Sequence, residues 1–285
     1  MKILVLGCNG MAGHLISLYL KEYGHQVVGF ARQASKLIDN TVTGDVTDLQ
    51  LLESTVKNGN YDAVINCVGL LNQFAERDIS ISILINSYLP HFLSKITKGS
   101  KTRIIHMSTD CVFAGNDGPY FEDSFPNGRT IYDRTKALGE LSNGKDLTFR
   151  NSIIGPDIKP TGIGLFNWFM SQNGTIKGYT GAIWSGVTTL TLAKAMEKAL
   201  EINLTGLFNL GNNSSINKYD LLRLFNKYFR DDKLQIIPDG NLVLDKSLRS
   251  NRTDFEFYVP DYEEQIAELK QWMIDHKTIY SHYKY

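Results

Sequence analysis

The chain has 285 residues, of which 42% are hydrophobic and 21% are charged, as in ordinary folded proteins. Lysine plus arginine and aspartate plus glutamate each number 30, so the formal net charge is zero and no basic run favours a nucleic-acid partner. No apolar stretch approaches the roughly 20 residues that a membrane span requires. We therefore expect a cytoplasmic protein, and a near-zero net charge is compatible with a homodimer.

The first half of the chain alternates short apolar runs with amphipathic stretches, a pattern typical of a parallel sheet covered by helices. Several runs are apolar at consecutive positions, as expected where both faces of a sheet are buried. The predicted strands are Lys2–Leu6, Gln26–Phe30, Val42–Asp45, Ala63–Cys67, Arg103–Met107 and Leu147–Arg150. The predicted helices are Met11–Glu22, Leu49–Val56, Ile79–Ile96 and Tyr132–Leu141.

Beyond about residue 150 this alternation breaks down, because Pro156, Pro160 and several glycines indicate loop-rich chain. Helices are predicted again at Leu190–Leu200, Lys218–Phe229 and Tyr262–His276. We therefore predict an α/β protein of the Rossmann type. Residues 1–150 form a dinucleotide-binding domain with a doubly wound parallel sheet, and residues 151–285 form a smaller α/β substrate-binding lobe. Segments from one of these regions can also contribute to the other.

A glycine-rich turn follows the first predicted strand, with Gly7, Gly10 and Gly13 at three-residue spacing. Glycines at this spacing let the backbone turn tightly and approach a pyrophosphate, and the last one permits close packing of the next helix on the strand. The helix also directs its N-terminal amides at the phosphates. Because the motif lies between an apolar strand and an amphipathic helix, it predicts dinucleotide binding.

The end of the second predicted strand bears on the choice of dinucleotide. An acidic residue there binds a ribose 2′-hydroxyl, whereas arginine can pair with a 2′-phosphate. The sequence has Arg32 and no acidic residue at this point, which favours NADP(H) over NAD(H). Asp45, after the third strand, could accept a hydrogen bond from the adenine amino group, although a turn-forming aspartate explains it nearly as well.

Tyr132 and Lys136 are four residues apart on a predicted helix, so their side chains share a face. An ammonium group beside a phenol stabilises the phenolate and brings the phenol pKa, near 10 when unperturbed, towards neutral pH. Thr109 ends the fifth predicted strand, at the carboxyl edge of the sheet where ligands bind in open α/β folds. These three residues predict a site that delivers a proton to a carbonyl oxygen during hydride transfer.

Together, these features make the sequence similar to the extended short-chain dehydrogenase/reductases, and among them to the dTDP-4-dehydrorhamnose reductases. The resemblance covers most of the chain. It rests on the three glycines, on Asn66–Gly69, on Asn86, on Ser108–Gly115 and on Tyr132–Lys136. It implies that Thr109 polarises the substrate carbonyl, that Tyr132 is the acid, and that Lys136 tunes the tyrosine and holds the ribose.

The residue patterns and the resemblance together predict which residues form the binding sites. Those expected at the dinucleotide are Gly7, Asn9, Gly10, Met11, Gly13, Arg32, Asp45, Val46, Cys67, Val68, Gly69, Asn86, Tyr132 and Lys136. Those expected at a nucleotide-sugar substrate are Asp110, Val112, Asn151 and Trp184.

Two groups of residues are not expected to bind a metal. Three cysteines (Cys8, Cys67 and Cys111) are odd in number, and their spacings fit neither a zinc site nor a disulfide framework, so reduced thiols and no metal are expected. The scattered histidines, among them His14, His25, His91 and His106, are interpreted as structural or surface residues.

The same resemblance narrows the reaction. Related dehydratases have Thr-Asp-Glu on the fifth strand, where the two carboxyl groups carry out an elimination, and Cys111 replaces that glutamate here. We expect an NAD(P)H-dependent reductase of a nucleotide-activated 4-keto-6-deoxyhexose that serves cell-surface polysaccharide synthesis. Two alternatives stay open: a sugar-nucleotide epimerase that retains its cofactor, and a non-catalytic regulatory subunit that binds a dinucleotide.

Overall fold

The computed structural model describes residues 1–284. In chain order its strands are β1 (Lys2–Leu6), β2 (Gln26–Ala31), β3 (Asn40–Thr43), β4 (Ala63–Asn66), β5 (Arg103–Met107), β6 (Leu147–Arg150), β7 (Ile153–Ile154), β8 (Thr175–Trp184), β9 (Val187–Thr188), β10 (Gly206–Asn209), β11 (Ile216–Asn217) and β12 (Gln235–Asp245). Its α-helices are α1 (Met11–Glu22), α2 (Leu49–Asn58), α3 (Asn72–Arg77), α4 (Ile79–Ser82), α5 (Leu89–Ile96), α6 (Ile131–Leu138), α7 (Leu165–Met170), α8 (Thr189–Glu201), α9 (Lys218–Phe229) and α10 (Tyr262–Asp275).

Seven parallel strands form the central sheet, in the order β3-β2-β1-β4-β5-β6-β10. Alternate residues of β1 enter two different cores: Ile3 and Val5 pack on one face, Leu4 and Leu6 on the other. Both faces are therefore buried, which explains the consecutive apolar residues of these strands. The predicted Rossmann-type, doubly wound parallel sheet is confirmed. The strand order reverses between β1 and β4, which is where open α/β sheets bind ligands.

Several predicted elements differ from those observed by a few residues at their ends, and in two of them the difference has a clear physical reason. The third strand runs over Asn40–Thr43 instead of Val42–Asp45, because the Asp45 carboxylate accepts hydrogen bonds from the amide and hydroxyl of Thr47 and turns the chain. The single helix predicted at Ile79–Ile96 consists of α4, a π-helical turn over Ile83–Tyr88, and α5. Pro90 has no N–H to donate to the carbonyl four residues earlier, and the turn before it is wider.

The chain returns to the central sheet after residue 150. Helix α8 packs against α1, and β10 pairs with β6 as the seventh strand. The remaining residues form a smaller lobe, in which β8 pairs with β11 and β12 beneath α9, while β7 pairs with β9. Within residues 1–284, no helix is both long and apolar enough to cross a membrane.

Candidate active site

The glycine-rich loop has a backbone that requires glycine at two positions. Gly7 has φ of +76°, in the left-handed region. A Cβ atom on Gly13 would lie 2.2 Å from the Gly7 carbonyl oxygen, so the first turn of α1 packs directly on the loop. The amide of Gly10 donates to the same oxygen at 2.9 Å. Helix α1 begins at Met11, which leaves its first amides facing the loop.

The other predicted residues of this loop lie on its two sides. Asn9 donates from Nδ2 to the Gln33 carbonyl at 2.8 Å and so joins the loop to the chain that follows β2. The Met11 sulfur lies 3.9 Å from the Asn167 amide of the smaller lobe. The loop therefore contacts both parts of the molecule.

Arg32, which is predicted to select the dinucleotide, and Asp45, which is predicted to bind the adenine, lie beyond the ends of neighbouring strands. Arg32 follows β2 and is exposed, and its charge is close enough to Asp45 to contribute to lowering the pKa of that carboxyl. The hydrogen bonds from Thr47 are the larger cause of that lowering. Val46 is half-buried against the core on one face of the sheet.

The loop after β4 packs against the glycine-rich loop. A Cβ atom on Gly7 would lie 3.1 Å from the Val68 side chain and 3.5 Å from the backbone of Cys67. Asn86 is hydrogen-bonded to this loop. Its Oδ1 accepts from the Leu70 amide at 2.8 Å, and its Nδ2 donates to the Leu70 carbonyl and the Thr135 hydroxyl. The Asn86 side chain is fully buried, and Gly69 lies over its Oδ1. Its hydrogen bonds position the loop and helix α6.

Thr109 and Asp110 follow β5 at the same edge of the sheet. The Thr109 hydroxyl donates to the Asp110 carboxylate at 3.1 Å and accepts from the Cys111 amide, which caps a short 3-10 turn. Asp110 is buried, and burial raises its pKa, while the nearby charges of Lys246 and Lys218 oppose the rise. Two lysines of the smaller lobe are therefore close enough for their charges to act on Asp110.

Helix α6 presents Tyr132 and Lys136 to the edge. A capping box starts the helix, with Thr130 Oγ1 accepting from the Asp133 amide and the Asp133 carboxylate accepting from the Thr130 amide, both at 3.1 Å. Tyr132 is only 7% exposed, and burial is the largest cause that raises its pKa. A hydrogen bond with the Thr109 side chain opposes the rise. The phenol is therefore protonated at neutral pH. The expectation that Lys136 brings this pKa towards neutral pH is wrong for the structure described, because burial dominates and the Lys136 ammonium donates to the Met107 carbonyl.

Lys136 is buried beneath the site. Its Nζ donates to the Met107 carbonyl at 2.5 Å and lies 3.3 Å from His106 Nε2. Burial lowers the pKa of Lys136 to about 8, against the opposing charge of Glu140. His106 was interpreted as a structural or surface residue, yet it contacts this lysine. The only sequence signal was a histidine within an otherwise apolar strand.

A buried ion pair that the sequence analysis did not identify supports the edge. Arg150 donates from Nε and Nη2 to the two carboxylate oxygens of Glu140, at 2.9 and 2.6 Å. Ser108 Oγ donates to the same carboxylate at 2.6 Å. A carboxylate shared by these two donors holds the ends of β5 and β6 against α6.

The residues predicted at the substrate have different surroundings. Asn151 is 3% exposed, and neither Nδ2 nor Oδ1 of its amide has a hydrogen-bond partner, although buried amides normally have one. Trp184 is buried against Tyr262, and Val112 lies in a small core with Phe113. No group of three or more His, Cys, Asp or Glu side chains that could hold a metal ion is found in residues 1–284.

Comparison with known proteins identifies the family of the chain. Residues 1–150 match the model of the RmlD substrate binding domain. The chain belongs to the RmlD substrate binding domain family. The predicted resemblance to dTDP-4-dehydrorhamnose reductases is thereby confirmed at the level of the family.

Two relatives in other organisms are similar to this chain at 26% and 32% identity. A Haloferax volcanii protein named a probable low-salt glycan biosynthesis reductase is 26% identical over 228 residues, 76% of each chain. A dTDP-4-dehydrorhamnose reductase of Burkholderia thailandensis is 32% identical over 160 residues, which are 54% of this chain. The match covers 50% of that enzyme, so the chain aligns with about half of its length.

A solved structure shows the fold over nearly the whole chain. The Bacillus anthracis dTDP-4-dehydrorhamnose reductase, in complex with NADP, superimposes with a TM-score of 0.79 at 18% identity. The superposition covers 94% of this chain and 98% of that protein.

Proposed function

We propose that this chain is an NAD(P)H-dependent reductase of a nucleotide-activated 4-keto-6-deoxyhexose. The observation that carries the proposal is that Tyr132, which is hydrogen-bonded with Thr109, and Lys136 share helix α6 at the carboxyl end of β5, in a member of the RmlD family. The names of the relatives support the same class of reaction, since they include reductases of dTDP-4-keto sugars. A role in polysaccharide synthesis follows from this substrate class.

The loop fits a dinucleotide. The left-handed Gly7 and the missing side chain of Gly13 leave a bare backbone at the start of α1, where the amides can bind a pyrophosphate. A bound reduced nicotinamide supplies the hydride. Exposed Arg32 beyond β2 supports a preference for NADP(H), because a guanidinium can pair with a 2′-phosphate, and NAD(H) is the alternative.

The chain's own groups control the proton. Because burial keeps Tyr132 protonated at neutral pH, its phenol can give a proton to the oxygen that was the substrate carbonyl. The Thr109 hydroxyl donates its single hydrogen to the Asp110 carboxylate, and it would polarise the substrate carbonyl by donating that hydrogen to the carbonyl oxygen instead. The Lys136 ammonium stabilises the phenolate that is left. No carboxyl group stands at position 111, so the acid–base pair of an elimination is absent from that position.

A nucleotide sugar suits the smaller lobe. Lys218 and Lys246 bring positive charge to the edge and can bind the two phosphates of such a substrate. The unpartnered amide of Asn151 would gain hydrogen bonds from a bound sugar or phosphate. The homodimer, the cytoplasmic location and the division of the chain at residue 150 stay predictions.

Absorbance at the nicotinamide band tests the proposal. Purified protein is mixed with NADPH or NADH and a panel of nucleotide 4-keto-6-deoxy sugars, with a heat-inactivated sample as control. We expect loss of absorbance with at least one sugar, and faster loss with NADPH. Cofactor that stays with the protein through purification and is not consumed would favour the epimerase. Binding of NADPH without any turnover across the panel would favour the regulatory subunit.

A further inference from the structure

His106 lies between Asn66 and Lys136 in the interior of the molecule. Asn66 and His106 are paired residues on the neighbouring strands β4 and β5, and both are fully buried. Asn66 Nδ2 is 3.2 Å from His106 Nδ1, and His106 Nε2 is 3.3 Å from Lys136 Nζ. One imidazole ring therefore joins the amide to the lysine.

The hydrogen positions along the contacts from Asn66 to Lys136 can be assigned by starting at Asn66. The backbone amide of Val68 donates to Asn66 Oδ1 at 3.1 Å, which fixes that atom as the carbonyl oxygen. The Asn66 NH₂ group therefore donates, and His106 Nδ1 accepts. A neutral imidazole has a single N–H, which must then be on Nε2. This N–H points at the Lys136 nitrogen.

An N–H donor in that place affects the two forms of the lysine differently. An ammonium group has only donors, so the charged form meets Nε2–H as a second donor. A neutral amine has a lone pair and accepts the hydrogen bond. Protonation of His106 itself does not relieve the conflict, because burial holds its pKa well below the ordinary value of 6.5 and the Lys136 charge lowers it further.

We propose that Asn66 and His106 are positioning residues that ease the loss of a proton from Lys136, by fixing the His106 tautomer with its hydrogen on Nε2. The lysine's task follows from the proposed function, but the hydrogen-bond argument does not depend on the reaction. The direction agrees with the lowered pKa of Lys136. The positive charge of Lys136, which is proposed to stabilise the Tyr132 phenolate, is thus influenced by Asn66 through His106.

Other groups also act on this pair. Glu140, two residues beyond the end of α6, favours the charged lysine, but its carboxylate is shared with Arg150. Cys67, after β4, is a neutral thiol because burial raises its pKa to about 12, and it would favour the charged lysine only as a thiolate. His91, from α5, disfavours the charged form of His106. The test must therefore change the tautomer of His106, and it must separate the effect of that change on Lys136 from the direct effect of nearby charges.

The first measurement is the tautomer of His106 in the intact protein. Two-bond ¹H–¹⁵N spectra of protein labelled in the histidine rings distinguish a proton on Nε2 from one on Nδ1. His106→Phe identifies the signal by its loss. At pH 7 we expect the proton on Nε2. A proton on Nδ1, or on both nitrogens, would overturn the proposal without any further variant.

The second measurement is the titration of Lys136, followed by ¹³C at Cε and assigned with Lys136→Met. Asn66→Asp keeps the acceptor for the Val68 amide but replaces the NH₂ donor with an acceptor, so the His106 proton should move to Nδ1. Nε2 then accepts from the ammonium. The Lys136 midpoint should rise by about one pH unit or more, a tenfold change in its dissociation constant.

The matched control repeats Asn66→Asp in the His106→Phe protein. If the effect passes through the imidazole, the rise should fall to less than half. An equal rise in both backgrounds would show that the added charge acts directly, and no rise in either would show that Asn66 does not act on Lys136; each result refutes the proposal. Neither measurement needs a substrate, so a failure of the reductase assay would not affect them.

Discussion

Adding one methyl group at Gly13 should separate dinucleotide binding from folding. The new Cβ of Gly13→Ala would lie 2.2 Å from the Gly7 oxygen, 2.8 Å from its carbonyl carbon and 3.2 Å from Cys8 Cα. All three are backbone atoms, so α1 and the loop must move apart by about 1 Å to restore ordinary contact. Overpacking of this kind costs about 2 kcal/mol. If binding requires the original loop, the dinucleotide Kd should rise roughly 30-fold.

Gly24→Ala is the matched control for this substitution. Gly24 has φ of +85° and nothing within 4 Å of an added Cβ, in the turn at the other end of α1. Alanine in this conformation should lower the free energy of unfolding by about 1 kcal/mol through backbone strain alone. NADPH fluorescence gives Kd, and urea unfolding gives the stability of both proteins. Equal dinucleotide affinity in Gly13→Ala and Gly24→Ala would refute the close-packing argument.

Three further predictions concern the proposed site. Tyr132→Phe should bind the dinucleotide normally and lose at least ~100-fold in turnover, as expected for removal of a general acid; near-normal turnover would contradict the assignment. Arg32→Ala should weaken NADPH by about tenfold or more and NADH hardly at all, in parallel binding titrations; equal losses would show that Arg32 does not read the phosphate. The folded state holds the pKa of Lys136 at about 8, against an ordinary value of 10.5, so between these pH values it binds fewer protons than the unfolded state. The wild type should therefore gain stability relative to Lys136→Met as the pH rises. In urea titrations, the difference between their free energies of unfolding should grow by up to about 3 kcal/mol from pH 8 to pH 10.5. A difference that stays constant over this range would contradict the lowered pKa.

The part of the fold that depends on local pattern could be predicted from the sequence. Lys2–Leu6, Arg103–Met107 and Leu147–Arg150 form strands over the predicted residues, because buried parallel strands are continuously apolar and end at polar residues. The glycine spacing predicted the loop geometry at Gly7 and Gly13 because no other residue fits those positions.

The remaining features depend on contacts between distant parts of the chain. Gly206–Asn209 is four residues long and becomes a strand only because β6 offers a free edge for pairing. The Glu140–Arg150 ion pair and the contact of His106 with Lys136 join residues whose separation in the sequence corresponds to neither a helix nor a strand repeat. The roles of these four residues depend on their burial and on their partners, and residue type alone predicts neither the burial nor the partners.

The return of the chain to the central sheet has a consequence for anyone who wishes to divide the protein. A fragment that stops at residue 150 lacks β10, and one side of β6 then presents a row of unsatisfied amides and carbonyls to other molecules. It also lacks α8, which covers the apolar side of α1. Such a fragment is expected to aggregate when it is expressed alone. We therefore expect that the region matched by the family model does not fold stably on its own.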